Sequence, residues 1–217
     1  MKASLLLATL FLAACGSPAE PAEPAAPASA PDAVDPWTAE FMPPMELDGP
    51  RIHLEPLGPQ HAELDYAAYM SSREHLQATL HWGSWPAADD TVEQDRADLT
   101  RHMDEFVSGK GYAYTVLTPD RSRCVGCIYL DPGLEEFPST GPTAALAYWV
   151  VADELDSDLD RELLQSVLQW IETDWPFVSV AVPLRVENER GCAIARDLGL
   201  EELPEVRNEH RQFVWHR

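Results

Sequence analysis

The stretch Ala144-Ala145-Leu146-Ala147-Tyr148-Trp149-Val150-Val151 runs for eight residues without a charge or an amide side chain. A half-solvated strand would alternate apolar with polar. An unbroken apolar run marks a strand covered on both faces, as at the centre of a sheet with helices on its two sides. Downstream, Leu159, Leu163, Leu164, Val167, Leu168 and Ile171 recur at helical spacing, and Phe177 to Val182 returns as a strand. Glu187 to Leu198 is a further helix, ended by Gly199 at the left-handed position that glycine favours. Arg211 to Trp215 is the last strand.

Upstream, Tyr112 to Leu117 and Arg123 to Leu130 form two strands joined through the turn Thr118-Pro119-Asp120-Arg121. Before them, Asp89 to Val107 is a charged helix, capped by Thr91 or Asp90 and stopped by Gly109. Gln60 to Leu80 is another helix, with Leu64, Ala67, Ala68, Leu76 and Leu80 on its apolar positions, and Arg51 to Leu57 alternates as a strand. The order is strand, two helices, three strands, helix, strand, helix, strand. It predicts one α/β (α+β) domain over residues 51–217: a mixed central sheet of about six or seven strands flanked by about four helices.

The chain before residue 51 has a different character. Met1-Lys2 gives a positive start, and the apolar run Leu5 to Leu12 is far shorter than the roughly 20 residues a membrane span needs. Residues 1–14 are expected to be a secretory signal. They end at Leu12-Ala13-Ala14-Cys15-Gly16, which resembles a bacterial lipoprotein box. That resemblance implies acylation of Cys15 and a cell-envelope location, at an outer membrane or periplasmic face. From residue 15 to 50 the composition turns to proline, alanine and scattered acids, and nine of the 19 prolines lie there. Such a segment cannot bury enough surface to fold, so a stalk is expected.

Fifteen Lys and Arg against 37 Asp and Glu give a formal charge of −22. Phosphate neutralisation needs a basic face, so no nucleic-acid partner is expected, and protein charge alone would not hold the chain on an anionic membrane. Cys124, Val125, Gly126 and Cys127 have a C-x-x-C spacing, but no second cysteine or histidine pair completes a zinc site, and no metal is expected. Strand residues three apart face opposite sides, which favours core packing for the two thiols. A bridge from Cys192 to either stays open.

Three patterns within this order are similar to the GNAT superfamily of acetyltransferases. Cys124-Val125-Gly126-Cys127-Ile128-Tyr129-Leu130 resembles its apolar strand with an internal glycine. Ala147-Tyr148-Trp149-Val150 resembles the aromatic strand along which the pantetheine arm lies. Asn188-Glu189-Arg190-Gly191, with Gly199-Leu200 after it, resembles the Asn-led helix. The likeness spans residues 51 to about 215 and is greatest to the branch that acetylates protein amino termini. It implies acetyl-CoA as cofactor, with Tyr148, Trp149, Val150, Val151 and Asn188 beside it, and acetyl transfer to a primary amine. In that chemistry backbone N–H groups at a glycine-rich turn hold the pyrophosphate.

The chain departs from the pattern at the phosphate loop. Its basic or amide position falls on Leu155 and its two glycines on Asp158 and Asp160, with Asp156 between. Side chains then occupy space that backbone needs. A carboxylate about 4 Å from a phosphate charge costs on the order of 4 kcal/mol at an effective dielectric near 20, roughly a thousandfold in affinity. Ser157 and Asp160 have capping-box spacing, which gives these acids a purely structural use. A hard cation on Asp156, Asp158 and Asp160 would lack the glycine and distal glutamate of a calcium loop. No glutamate enters the Tyr-Trp strand, and Ala195 stands at the position of the family's tyrosine acid, so catalytic residues are not assigned. His81, Glu135 and Glu136 are the loop candidates, and Trp82 and Trp85 either line an acceptor groove or pack on the sheet. Two functions follow: an N-acetyltransferase, or a pseudoenzyme that uses the fold for binding at the envelope.

Overall fold

The computed structural model describes residues 34–133 and 141–217. Cys15, the signal and most of the expected stalk lie outside the described residues, as do Glu135 and Glu136.

Eight strands form one sheet in the order β1-β2-β3-β4-β5-β6-β8-β7. They are β1 (Leu47–Asp48), β2 (His53–Pro56), β3 (Tyr112–Leu117), β4 (Cys124–Pro132), β5 (Thr143–Val150), β6 (Ser179–Arg185), β7 (Glu201–Arg207) and β8 (His210–His216). The helices are α1 (Ala62–Ser71), α2 (Arg73–Leu80), α3 (Val92–Ser108), α4 (Leu159–Asp174) and α5 (Glu189–Asp197). The single long helix expected from Gln60 to Leu80 is interrupted at Ser72, which caps α1 and starts α2.

Several local signals act as expected. Thr91 Oγ1 accepts from the Gln94 N–H while the Gln94 side chain returns to the Thr91 N–H, a reciprocal cap for α3. Gly109 and Gly199 take φ of 70° and 81° after α3 and α5. Two strands were not expected. β7 carries three glutamates and Pro204, which an edge strand tolerates, and its pairing with β8 is irregular between Glu202 and Val206. β1 is only two residues long.

The N-terminal boundary needs correction. Residues 34–50, expected to belong to the stalk, pack on the domain. Trp37 stacks on Tyr112 and Phe177 with ring centroids 5.4 and 5.3 Å apart, and its indole N–H donates to the Thr143 carbonyl at 3.1 Å. Phe41 meets Tyr112 and Trp175, and Tyr114 donates to the Pro44 carbonyl at 2.6 Å. Burial of these rings and satisfaction of the Tyr114 hydroxyl outweigh the proline-rich local composition.

Two sheet irregularities position the site. β5 and β6 are the parallel pair, and they are in register only from Thr143↔Ser179 to Ala145↔Ala181. Beyond that the two strands part, and Pro183 in the parted section of β6 has no N–H for either neighbour. The second irregularity is a bulge where β4 meets β3. Val116 pairs with Gly126 but Leu117 pairs with Cys124, leaving Val125 as one extra residue. A Cβ on Gly126 would lie 2.2 Å from the Trp149 carbonyl oxygen, so only glycine lets β4 and β5 come this close.

Candidate active site

The parted ends of β5 and β6 enclose a groove of about 420 Å³, walled by Tyr148, Trp149 and Val150 on one side and by Leu184, Asn188 and Gly191 on the other. Of the five residues expected along a cofactor, four line it. Val151 does not: it is fully buried and its N–H is spent on the Val125 carbonyl at 3.0 Å. Asn188 caps α5, its Oδ1 accepting from the Gly191 N–H at 2.9 Å. A Cβ on Gly191 would meet the Asn188 side chain at 2.8 to 3.0 Å, so the glycine keeps that cap. His75 of α2 also lines the groove, and burial pushes its pKa down.

The phosphate-loop positions lie at one end of this groove. Ala152–Ser157 forms a 3-10 turn, Asp158 follows with φ 58°, and α4 begins at Leu159. The expected capping box does not form. Ser157 Oγ donates to the Glu154 carbonyl at 2.7 Å, and no side chain caps α4. The acids are held instead by Arg190 on α5. Its guanidinium donates to Asp160 Oδ2 at 2.6 Å and Oδ1 at 2.8 Å, to Asp158 Oδ1 at 2.9 Å and to the Leu155 carbonyl at 2.9 Å. These bonds raise the arginine pKa further, Asp160 contributing most. Upstream in the turn, Arg123 holds Asp153 at 2.6 Å and Glu154 at 2.9 Å. Arg190 had no signal in the sequence, because its partners are about one helix and one strand away along the chain.

This arrangement refines the repulsion expected from the loop. Two carboxylates and one guanidinium leave a net charge of −1 at Asp158, Asp160 and Arg190, and the one cation is fully engaged. The groove therefore fits the apolar arm of coenzyme A along Tyr148 to Val150, but it does not fit the diphosphate: no glycine turn presents backbone there, and carboxylates stand in its place.

The groove narrows to a cavity of about 60 Å³ that shares Tyr148, Leu184 and Asn188 with it and reaches Trp82 and Ala147. Trp82 and Ala147 also wall a third cavity, of about 470 Å³, which includes Trp85, Tyr129, Asp65, Asp95, Asp98, Glu105 and Asp131. Trp82 and Ala147 thus form the wall between the narrow cavity and the third one. Trp82 and Trp85 do both things considered for them. They pack ring to ring at 5.6 Å, and Trp82 meets Tyr129 edge-on at 5.5 Å, while their remaining faces line the cavity. His81, by contrast, is exposed at the end of α2 and lines none of these spaces.

The third cavity is acidic. Five carboxylates line it against Arg101 and Lys110. The hydrogen bond from His102, with Arg101, holds Asp98 down at about 2 despite burial. Burial raises Asp131, with the Glu105 charge adding to it. Burial likewise raises Asp65, and burial together with the Asp65 charge pushes Asp95 up to about 8. Arg101 holds both Asp98 and Glu105, at 2.6 and 2.9 Å, so the charge of the lining is largely compensated, and the aromatic faces of Trp82, Trp85 and Tyr129 are what favours a cationic amine there.

No curated protein matches the chain. Among solved structures, the ribosomal-protein-S5-alanine acetyltransferase from Vibrio fischeri is 12% identical with a TM-score of 0.65, covering 80% of this chain and 97% of its own. RimL, a ribosomal L7/L12 alpha-N-protein acetyltransferase in complex with coenzyme A, is 15% identical with a TM-score of 0.63, covering 77% and 95%. The microcin C7 self-immunity acetyltransferase MccE, in complex with acetyl-CoA and AMP, is 13% identical with a TM-score of 0.62, covering 78% and 94%. Such likeness shows a shared fold. A family profile described as an acetyltransferase (GNAT) domain matches residues 51–201, and on that match, over the splayed sheet and its groove, the chain belongs to the GNAT acetyltransferase family.

Proposed function

We propose that this chain takes up a primary amine of a protein or small molecule and supports its acetylation only weakly, because the acetyl-CoA it would need is poorly held. The aromatic cavity lined by Trp82 and Trp85, which shares Trp82 and Ala147 with the narrow end of the Tyr148 groove, carries the first half of this reading. The Arg190 clasp over Asp158 and Asp160 carries the second. When bound, acetyl-CoA would supply an activated thioester. The chain's own part is to receive an ammonium against the aromatic faces of Trp82, Trp85 and Tyr129, to exclude water with the two tryptophans, and to present the amine beside Ala147.

Calorimetry on the purified chain tests it. Acetyl-CoA is expected to bind no tighter than millimolar; micromolar affinity would sink the donor half of the reading. A second reading draws on the same clasp: a non-catalytic GNAT fold that binds amines at the cell envelope, anchored through lipid on Cys15. It is separated from the first by product. Acetylated amine at saturating acetyl-CoA supports slow catalysis, and amine binding without any product supports the binding module.

A further inference from the structure

Simple alternation sends Cys124 and Cys127 to opposite faces of β4. The extra residue at Val125 reverses that parity and turns both thiols toward Asp65 on α1. Cys127 Sγ lies 3.1 Å and Cys124 Sγ 3.7 Å from Asp65 Oδ1, and the three ligand atoms lie within 4.8 Å of one another. Tetrahedral zinc, with Zn–S near 2.3 Å and Zn–O near 2.0 Å, sets sulfur–oxygen edges of about 3.5 Å. The two measured separations bracket that value.

A second observation comes from α3. Asp95 is only 8% exposed, and its Oδ2 has no hydrogen-bond partner among the described residues. Asp95 and Asp65 both line the 470 Å³ cavity, which gives an ion a way in. The acids of the 152–160 turn offer no comparable site, because arginines already hold Asp153, Glu154, Asp158 and Asp160.

We propose that Asp65, Cys124 and Cys127 bind one thiophilic divalent cation of the zinc class, with its fourth position turned toward the cavity beside Asp95. Each sulfur gives a lone pair to the metal and each thiol proton leaves to solvent, so no oxidant or reductant is involved.

The test is a cobalt(II) titration of the purified chain, kept reduced with a phosphine. A thiolate-to-cobalt charge-transfer band should saturate at one ion per chain and vanish on adding zinc. Cys192→Ser should leave the band intact, Asp65→Asn should weaken binding about tenfold or more, and Cys124→Ser with Cys127→Ser should abolish it. Absence of the band in folded reduced protein, or its survival in the double variant, would overturn the assignment. Should the cysteine variants fail to fold, X-ray absorption on the zinc-loaded unaltered chain decides. Two sulfur scatterers at about 2.3 Å are expected, and a shell of nitrogen and oxygen alone counts against the site.

Discussion

Asp158 takes φ 58°, a conformation that glycine adopts without strain and aspartate does not. Its replacement by glycine therefore relieves the backbone as well as removing a charge. Combining Asp158→Gly with Asp160→Gly and Leu155→Arg also releases Arg190 from its bonds. Affinity for coenzyme A is expected to rise about tenfold or more, read by calorimetry. An unchanged affinity would mean that the groove is closed by something other than charge. A second residue-scale expectation concerns Asp98. Its pKa of about 2 lies below that of the unfolded chain, so its contribution is complete at neutral pH and is lost as pH falls from about 4 toward 2. Its side chain is 54% exposed, and screening keeps that contribution below about 1 kcal/mol. The melting temperature of Asp98→Asn should be slightly lower than that of the parent at pH 7, and the gap should close near pH 2. A gap that widens on acidification would contradict the assignment. At this scale the sequence displays helix signals well, as at Thr91 and Gly109, because their partners lie within a few residues. It hides the Arg190 clasp and the meeting of Asp65 with Cys127, since those partners are brought together only by the sheet.

At the scale of elements, the apolar run of β5 and the periodic leucines of α4 were legible because burial imposes them directly. β7 was not, since an edge strand buries little: Glu201 and Glu205 are exposed, and Glu202 is half-buried between Arg196 and Arg211. The bulge in β4 was equally silent: one inserted residue changes which face each side chain takes without altering composition. The packing of residues 34–50 is hidden in the sequence because eight surrounding residues of proline and acid mask two aromatic anchors. Trp37→Ala tests how firmly that segment belongs. Loss of its stacking should cost about 2–3 kcal/mol, below the range for fully buried aromatic truncations because the ring is only half-buried. That corresponds to a fall of about 5–10 °C in melting temperature for a domain of this size. A change below about 1 °C would show that the segment is merely laid on the surface.

For the whole molecule, the charge of −22 is carried on a fold whose acids are extensively clasped by a small number of arginines. On the proposal that Cys15 carries lipid, the acyl chains rather than protein charge supply the hold on an anionic membrane, because such an excess of acid is repelled by anionic headgroups. Replacing Cys15 by serine should release the protein from the membrane fraction into the soluble one. Unchanged recovery with membranes would remove the anchor from the account.

Trp37 sits where the chain from the N-terminus enters the domain, wedged between Tyr112 of β3 and Phe177 just before β6, with its indole fixed to the first residue of β5. Three strands that straddle the short parallel ladder are thereby buttoned together by one ring. Mechanical tension drawn along the N-terminal chain would arrive first at that button, before any hydrogen bond of the ladder feels it. In a single-molecule pull applied through residue 34, the earliest rupture should be the peeling of residues 34–50, with the mouth of the splay slackening only afterwards.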